Sequence, residues 1–203
     1  MKEEKIRFKT VFVSDRIPSD NKLRELKKWC RIFQESGLTP EVQGNLTGNL
    51  SFRSKDGFVI TASGLKDKEN LEDFCFVYVK AYNEHDNTFF VEGQTTPSSE
   101  SIMHNLIYTT YGDVNAVFHG HNDVIVACAN ELGLSITEKE YESGTADLAK
   151  EVVKVLGNNK LIVLRNHGFV SLGNTLNDVG ELALATLSEA KFERAHQQAG
   201  ISC

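Results

Sequence analysis

Residues 114–121 read Val-Asn-Ala-Val-Phe-His-Gly-His, and residues 161–168 read Leu-Ile-Val-Leu-Arg-Asn-His-Gly. In both stretches a short, apolar, β-prone run is followed closely by histidine and glycine. Apolar runs of this length, bounded by small and polar residues, are typical of buried strands. We therefore predict a buried strand over 114–119 and a second over 161–165, each leading into a histidine.

Strand and helix patterns alternate through the rest of the sequence. Further strands are predicted at 6–13, 50–53, 58–61, 74–81 and 88–92. The spacing of apolar residues predicts helices at 22–36, 98–111, 124–132, 145–156 and 177–199. Strands mixed with helices indicate an α/β layer fold. With 203 residues and neither a low-complexity linker nor an internal repeat, the sequence predicts a single domain over 1–203.

The composition argues against several classes of protein. The net charge is −6, and Lys and Arg cluster only in short patches, so no nucleic-acid partner is expected. The sequence has no apolar leader, and no apolar run approaches the ~18 residues of a membrane helix, so we expect a cytoplasmic protein without membrane contact. The four cysteines are widely spaced, which favours reduced thiols over a disulfide framework or a zinc ribbon.

Three histidines are placed where one metal ion could bind them. His119 and His121 are two residues apart at a strand end, and residues with this spacing project to the same face of a sheet. Such a pair alone is more often a local polar patch, but His167 arrives from the second strand end, next to Gly168. Three imidazoles from two strand ends predict a divalent-metal site with positions open for substrate. His104, on a predicted helix, could either support this site or only pack.

Three short segments rich in Gly, Ser and Asn could bind an anion. They are Gly48-Asn49, Ser63-Gly64 and Ser98-Ser99. The last begins a predicted helix, where free N–H groups and the helix dipole favour phosphate. Each segment taken alone is more readily explained as a turn. Their occurrence together with the histidines favours an anion site.

Five motifs in a fixed order carry a resemblance to a known family. They are Gly48-Asn49-Leu50-Ser51-Phe52-Arg53, Ile60-Thr61-Ala62-Ser63-Gly64, Pro97-Ser98-Ser99-Glu100, His119-Gly120-His121 and Asn166-His167-Gly168. Together they resemble the class II aldolase/adducin family over residues 29–195. The resemblance implies a three-layer αβα fold with a central, mostly antiparallel sheet flanked by helices. It also implies a homotetramer with its sites at the subunit interfaces.

The resemblance implies roles for individual residues as well. His119, His121 and His167 would bind a divalent ion, with Zn²⁺ favoured and Mn²⁺, Co²⁺ or Fe²⁺ suited to the same ligands. Glu100 would ligate the resting metal and move off it to act as acid and base. The residues that would hold the phosphate of a sugar substrate are Gly48, Asn49, Ser63, Gly64, Ser98 and Ser99.

The sequence departs from the family pattern at the substrate tyrosines. Sugar-phosphate aldolases of the family use one tyrosine after the H-x-H helix and another in a C-terminal tail. Here 45 residues separate His121 from His167, fewer than expected, and no such tail precedes Cys203. Tyr141 is the candidate catalytic replacement for the first tyrosine, with a packed aromatic as the alternative interpretation. The strand predicted at 6–13 precedes the family's usual start and has no assigned role.

Four functions are compatible with such a site, and the sequence favours a metal-dependent carbon–carbon lyase. This enzyme would cleave a ketose 1-phosphate into dihydroxyacetone phosphate and an aldehyde. The alternatives on the same site are dehydration of methylthioribulose 1-phosphate, mildly favoured by residues 63–68, and 4-epimerisation of a pentulose 5-phosphate. Glu100 disfavours the epimerase, which typically has Asp there. A non-catalytic, adducin-like interaction domain is the fourth possibility, and the complete set of metal ligands argues against it.

Overall fold

The computed structural model describes residues 5–200, which form a nine-stranded sheet, a two-stranded ribbon and five α-helices. The strands are β1 (Lys9–Ser14), β2 (Glu41–Val42), β3 (Asn45–Leu46), β4 (Asn49–Ser54), β5 (Gly57–Thr61), β6 (Phe76–Asn83), β7 (Thr88–Glu92), β8 (Ala116–Gly120), β9 (Ser135–Ile136), β10 (Leu161–Leu164) and β11 (Gly168–Gly173). The helices are α1 (Leu23–Glu35), α2 (Ser101–Thr110), α3 (Asp123–Ala127), α4 (Ala146–Leu156) and α5 (Leu176–Gln198). The predicted α/β class is confirmed.

The large sheet is antiparallel except at its two edges. Its strand order is β1-β7-β6-β5-β4-β8-β11-β10-β9. The pairs β1–β7 and β9–β10 are parallel, and the remaining neighbouring pairs are antiparallel. The central, mostly antiparallel sheet implied by the family resemblance is therefore confirmed. The ribbon of β2 and β3 lies just before β4 in the chain.

Side chains alternate between two apolar layers, one on each face of the sheet. In β8, Phe118 packs into the layer under α1, α3 and α5, whereas Val117 packs into the layer under α2 and α4. This gives the three layers that the resemblance implied. Because the alternation continues to the end of the strand, His119 projects to the same face as Val117. The end of β8 therefore aims a histidine at the layer that contains α2.

The layer beneath α1 and α5 is closely packed. Phe33 of α1 meets Phe118 edge to face, with ring centroids 5.3 Å apart. Trp29 lies against Gly180 of α5, where a Cβ would come within 2.3 Å of the indole ring. The indole Nε1 donates to Oδ1 of Asn177 at 3.0 Å. Burying one phenylalanine side chain contributes roughly 1.5–3 kcal/mol, so these contacts hold β8 firmly from one face of the sheet.

Several elements differ from the prediction. The short strands β2, β3 and β9 have no predicted counterpart, and the helix predicted at 124–132 runs from Asp123 to Ala127. The N-terminal strand, predicted at 6–13, runs from Lys9 to Ser14 along the outer side of β7. The helix predicted from Ser98 begins at Ser101, because the preceding residues form a turn in which the Ser101 N–H donates to the Ser98 carbonyl at 3.0 Å. The strand β11 has no counterpart in the prediction, since glycine at both of its ends weakens the strand pattern.

The described residues include three of the four cysteines and all five helices. Cys30, Cys75 and Cys128 are free and buried, and burial raises the pKa of Cys30 to about 12. Cys203 lies outside the described residues, as do both ends of the predicted domain. Within residues 5–200, no helix has the length and apolar character needed to cross a membrane.

Candidate functional site

Four potential metal ligands meet at one point. The ligand atoms of Glu100, His119, His121 and His167 all lie within 4.8 Å of one another. Nε2 of His119 is 2.7 Å from Oε2 of Glu100 and 2.8 Å from Nε2 of His121. Nε2 of His167 is 3.6 Å from Oε1 of Glu100. The structure therefore brings together the four residues predicted as ligands.

The two histidine-bearing strand ends converge because β8 and β11 are direct neighbours. Gly120 pairs with Phe169 in the antiparallel ladder, and His167 lies in the tight turn that connects β10 to β11. Gly168 follows His167, and a Cβ on it would be 2.3 Å from the Gly120 carbonyl oxygen. This position is therefore restricted to glycine, because the two backbones approach closely there.

Glu100 reaches the cluster from the other direction, at the beginning of α2. It occupies the N-cap position, but its side chain makes no capping hydrogen bond and points into the cluster instead. Its Oε2 accepts from Nδ2 of Asn49 at 3.3 Å. Its Oε1 is buried and has no hydrogen-bond partner among the described residues. An unpartnered, buried carboxylate oxygen is costly unless a cation is bound beside it.

The protonation states of the cluster suit metal binding. Burial lowers the pKa of His121 well below its usual range, and the nearby His119 and His167 lower it further. Burial also lowers the pKa of His167, against the opposing effect of Glu100. Burial by itself would raise the pKa of Glu100, but the three imidazoles outweigh it and the pKa is lowered. At neutral pH this favours an ionised Glu100 and neutral His121 and His167, which are the metal-binding forms of these residues.

A backbone contact orients His119 in the way that ligation requires. Nδ1 of His119 lies 2.8 Å from the carbonyl oxygen of Phe169. Because a carbonyl oxygen only accepts, Nδ1 carries the proton and Nε2 keeps its lone pair for a metal. With the unpartnered Oε1 of Glu100, this shows that the residues present fit a divalent ion.

The three predicted anion-binding segments lie side by side next to the cluster. The Leu46 N–H donates to the Leu65 carbonyl at 2.8 Å, and the Ser63 N–H donates to the Thr96 carbonyl at 3.0 Å. These bonds join the segment around Gly48 to the Ser63-Gly64 turn, and that turn to the Ser98-Ser99 turn. A Cβ on Gly48 would be 2.6 Å from the His119 carbonyl oxygen, so the first segment touches the metal-ligand strand directly. The roles of these residues in binding phosphate stay a prediction.

A buried lysine beneath these segments was missed at the sequence level. The ammonium group of Lys68 donates to the carbonyl oxygens of Thr47 and Gly48, at 2.5 and 2.7 Å, and the residue is 1% exposed. In the sequence Lys68 stands among the charged residues Lys66, Asp67 and Glu69. Nothing in that pattern distinguishes it from a solvent-exposed lysine.

His104, for which two interpretations were open, belongs to the surroundings of the cluster. It is fully buried, and its ring nitrogens lie 2.6 Å from Oδ1 of Asn49 and 2.7 Å from Oγ of Ser51. Asn49 in turn contacts Glu100. His104 is therefore connected to Glu100 through Asn49, so it does more than fill space beside the site.

The contacts of Tyr141 within the described residues are with side chains outside the metal-ligand cluster. It packs at the margin of the layer under α2 and α4, and its hydroxyl interacts with Glu151, which contributes with burial to raising its pKa. The ammonium of Lys139 lies 5.3 Å from the centre of its ring. These contacts match the packed-aromatic interpretation, and a catalytic role for Tyr141 stays a prediction.

The N-terminal extension, which had no assigned role, reaches the neighbourhood of the anion-binding segments. Arg7 forms a 2.9 Å ion pair with Glu142 and donates from Nε to the Ser143 carbonyl at 3.3 Å. The adjacent Gly144 is wedged between two backbones, because a Cβ there would be 2.8 Å from the Ser99 carbonyl oxygen and 3.2 Å from that of Lys5. The extension thus supports the loop that lies against Ser99.

With this geometry established, the chain can be compared with known proteins. Residues 24–191 match the family model described as Class II Aldolase and Adducin N-terminal domain. The chain belongs to the class II aldolase/adducin family. The resemblance predicted from the five motifs is confirmed. The Glu and three-His cluster offers the ligands that a divalent-metal site requires.

Two curated members of the family are similar to this chain at moderate identity. The L-fuculose phosphate aldolase of Haemophilus influenzae is 32% identical over 155 residues, which is 64% of this chain and 64% of that protein. The 5-methylthioribulose-1-phosphate/5-deoxyribulose-1-phosphate aldolase of Rhodospirillum rubrum is 31% identical over 152 residues, 68% of this chain and 66% of that protein. The matches thus span just under two thirds of the length of either relative.

A solved structure of the family shares the fold. An L-fuculose 1-phosphate aldolase superimposes with a TM-score of 0.74 at 23% sequence identity, covering 91% of this chain and 90% of that one. At this identity the likeness establishes the common fold and no more. The three-layer family fold is therefore shared over most of the chain's length.

Proposed function

We propose that this chain is a divalent-metal-dependent lyase that cleaves a ketose 1-phosphate into dihydroxyacetone phosphate and an aldehyde. The observation that carries the proposal is the position of Glu100, whose buried carboxylate faces three imidazoles with Oε1 unpartnered among the described residues. A carboxylate in this position can exchange a proton with a substrate carbon. Both curated relatives are named as aldolases of sugar phosphates, which supports this substrate class.

The metal would be held by His119, His121, His167 and Glu100, and we propose Zn²⁺. Nitrogen and carboxylate ligands of this kind are usual for zinc, and they also suit Mn²⁺, Co²⁺ or Fe²⁺. When bound, a divalent ion supplies Lewis-acid chemistry, because it withdraws electron density from the ketone and hydroxyl oxygens of a substrate.

The phosphate of the substrate would bind at the three adjacent turns. Ser98 and Ser99 come just before α2, where free N–H groups and the helix dipole favour an anion. The buried ammonium of Lys68 lies beneath the Gly48 segment, and its positive charge further favours a dianion. The proposed phosphate ligands are Gly48, Asn49, Ser63, Gly64, Ser98 and Ser99.

Glu100 would carry the proton that completes the reaction. In cleavage, the C4 hydroxyl of the ketose gives up its proton, which is relayed to the ionised carboxylate of Glu100. The C3–C4 bond breaks to release the aldehyde, and the bonding electron pair stays on C3. Glu100, now protonated, gives that proton to C3, which yields dihydroxyacetone phosphate. In the reverse direction Glu100 removes the same proton, so dihydroxyacetone phosphate alone should exchange one C3 proton with solvent.

Tyr141 is the proposed partner of the C4 hydroxyl. Because proton exchange at dihydroxyacetone phosphate involves no C4 hydroxyl, Tyr141→Phe should slow cleavage and leave the exchange unchanged. Equal cleavage rates in the variant and the natural chain would remove Tyr141 from the mechanism. The homotetramer, the cytoplasmic location and the absence of nucleic-acid and membrane partners stay predictions.

A panel of ketose phosphates tests the proposed reaction. The metal-loaded protein is incubated with each sugar, and release of dihydroxyacetone phosphate is followed against loss of substrate. The proposal expects equal amounts of both for at least one ketose 1-phosphate. Loss of a ketose 1-phosphate without release of dihydroxyacetone phosphate would favour dehydration, and turnover of a pentulose 5-phosphate alone would favour epimerisation. Absence of any bound divalent ion after zinc or manganese supplementation would favour a non-catalytic, adducin-like domain.

A further inference from the structure

A continuous set of buried hydrogen bonds connects Tyr108 to Glu100, and we name it the Tyr108–Glu100 network. The hydroxyls of Tyr108 and Ser51 are 2.8 Å apart, and Ser51 Oγ is 2.7 Å from Nδ1 of His104. Nε2 of His104 is 2.6 Å from Oδ1 of Asn49, whose Nδ2 is 3.3 Å from Oε2 of Glu100. Each member is at least nine-tenths buried. Water is therefore a poor substitute for any of these partners.

The ionised carboxylate at one end of the network fixes the direction of the bonds that join Glu100, Asn49 and His104. An ionised carboxylate only accepts, so the Asn49 atom that faces Glu100 must be the amide nitrogen. Oδ1 of Asn49 then faces His104 and only accepts, so Nε2 of His104 must donate. Oγ of Ser51 lies within hydrogen-bond distance of both Nδ1 of His104 and the hydroxyl of Tyr108, so Ser51 connects the His104 ring to Tyr108.

The Nε2–H of His104 restricts the orientation of the Asn49 side-chain amide. A side-chain amide can rotate by half a turn and exchange its oxygen with its nitrogen at little cost when its surroundings permit. Here the rotated amide would set Oδ1 against the carboxylate of Glu100 and Nδ2 against the Nε2–H of His104. Both contacts would be repulsive, so the donor on His104 maintains the orientation in which Asn49 donates to Glu100.

The orientation of Asn49 contributes to which carboxylate oxygen remains available. Oε2 of Glu100 accepts from Asn49 and also lies 2.7 Å from Nε2 of His119, whereas Oε1 has no hydrogen-bond partner among residues 5–200. Asn49 also sits in β4 directly opposite His119 of β8, so its backbone is fixed by the sheet. The network therefore links the Glu100 carboxylate to the rigid strand β4, which limits the rotation of that carboxylate.

We propose that His104 is a positioning residue, whose Nε2–H locks the Asn49 amide so that Glu100 presents Oε1 for proton transfer. This inference rests on the proposed function for the identity of the transferred proton. The orientation of Asn49 itself does not depend on that function. A residue that merely filled the space of His104 would leave the amide free to rotate.

Four variants test this inference in the metal-loaded protein. His104→Gln keeps an N–H donor in roughly the place of Nε2, whereas His104→Phe fills the space without a donor. His104→Met is a second variant without a donor, should the Phe variant fail to fold. His85→Phe is the matched control, because the His85 side chain is 94% exposed.

The first measurement is the side-chain amide signal of Asn49 in a ¹⁵N–¹H correlation spectrum, assigned by its loss in Asn49→Asp. We expect a slowly exchanging, shifted amide in the natural chain and in His104→Gln. In His104→Phe and His104→Met we expect an unshifted amide whose hydrogens exchange rapidly with solvent. An unchanged signal in the variants without a donor would overturn the inference.

The second measurement is exchange of the C3 proton of dihydroxyacetone phosphate in deuterated water. Small errors in the position of a reacting group are costly, so we expect His104→Phe to slow exchange about tenfold or more at saturating substrate. Inhibition by inorganic phosphate should weaken by a smaller factor than exchange slows, because Asn49 is only one of the six proposed phosphate ligands. His104→Gln should recover most of the rate.

The outcomes separate the inference from the proposed function. If the natural chain exchanges no proton of dihydroxyacetone phosphate, the proposed function fails, while the Asn49 amide signal still decides whether His104 orients Asn49. Exchange that is equally slow in His104→Gln and His104→Phe would overturn the positioning role. So would weaker phosphate inhibition with unchanged exchange at saturation.

Discussion

Oε2 of Glu100 lies 2.7 Å from Nε2 of His119, and both side chains are fully buried. Nδ1 of His119 is committed to the Phe169 carbonyl, so a neutral imidazole would direct its Nε2 lone pair at the carboxylate. Two electron-rich groups at this distance and burial require a cation between them. That cation is either a proton or a metal ion, and the two must compete.

Metal uptake should therefore release protons. At neutral pH we expect the metal-free cluster to hold at least part of a proton that a divalent ion displaces, and metal affinity should fall as the pH falls. Calorimetric titration with Zn²⁺ in two buffers of different ionisation enthalpy measures the number of protons released. Identical heats in both buffers between pH 6 and 8 would show that no proton is displaced.

Removal of one imidazole should abolish stoichiometric metal binding. We expect His121→Ala or His167→Ala to lower the bound zinc from about one ion per chain to a small fraction after dialysis, because two imidazoles and a carboxylate form an incomplete site. Elemental analysis of the dialysed proteins checks this. His85→Ala, which alters an exposed histidine in a polar turn, should retain the natural metal content.

His104 should make the metal-free protein sensitive to acid. Its folded pKa of about 3 lies below the ordinary value of 6.5, owing first to burial and then to the nearby charge of His119, with Glu100 opposing. Between about pH 3 and 6.5, His104 is therefore protonated in the unfolded chain and neutral in the folded chain. The stability associated with neutral His104 is complete above pH 6.5 and declines as the pH falls towards 3.

His104→Gln provides the comparison, because the other titrating groups of the cluster are common to both proteins. Between pH 6 and 4, the natural chain should lose up to about 1.4 kcal/mol per pH unit relative to this variant. Urea unfolding of the two metal-free proteins at several pH values gives the difference directly. A difference in unfolding free energy that does not vary with pH would contradict the expectation.

The loop beside Ser99 should tolerate no side chain at Gly144. This glycine has φ +70°, and a Cβ would be 2.8 Å from the Ser99 carbonyl oxygen. We expect Gly144→Ala to lower the free energy of unfolding by about 1–3 kcal/mol and to weaken inhibition by inorganic phosphate. Gly112→Ala is the control, because a Cβ there meets no heavy atom within 4 Å. Equal phosphate inhibition in both variants would separate the loop from the anion site.

Much of the fold and the metal cluster could be predicted because short-range patterns determine them. The strand ends at His119 and His167 follow from local hydrophobicity, and antiparallel neighbours then bring them together. Lys68 could not be recognised, because its burial depends on the packing of a loop over it and its sequence neighbours are charged. The role of the N-terminal extension could not be predicted either, since Arg7 meets Glu142 only in the folded chain.

The contacts of Asn49 in the structure differ from the contact that the family resemblance implied. Its motif implied a phosphate ligand, whereas the structure has its amide between Glu100 and His104. One amide hydrogen of Asn49 is donated to Glu100. The second can be donated to a phosphate oxygen, so phosphate binding by Asn49 is compatible with this arrangement. Glu100 and His104 both lie at the beginning of α2, 51 and 55 residues further along the chain, so these contacts could not be deduced from the order of residues alone.

Glu100→Gln tests most directly the claim that Glu100 carries the proton beside a metal held by three histidines. The measurement is C3 proton exchange of dihydroxyacetone phosphate in deuterated water, with the bound metal quantified in the same sample. We expect the variant to retain its ion on His119, His121 and His167 and to lose exchange by about a hundredfold or more. Exchange at the natural rate in metal-loaded Glu100→Gln would contradict the account.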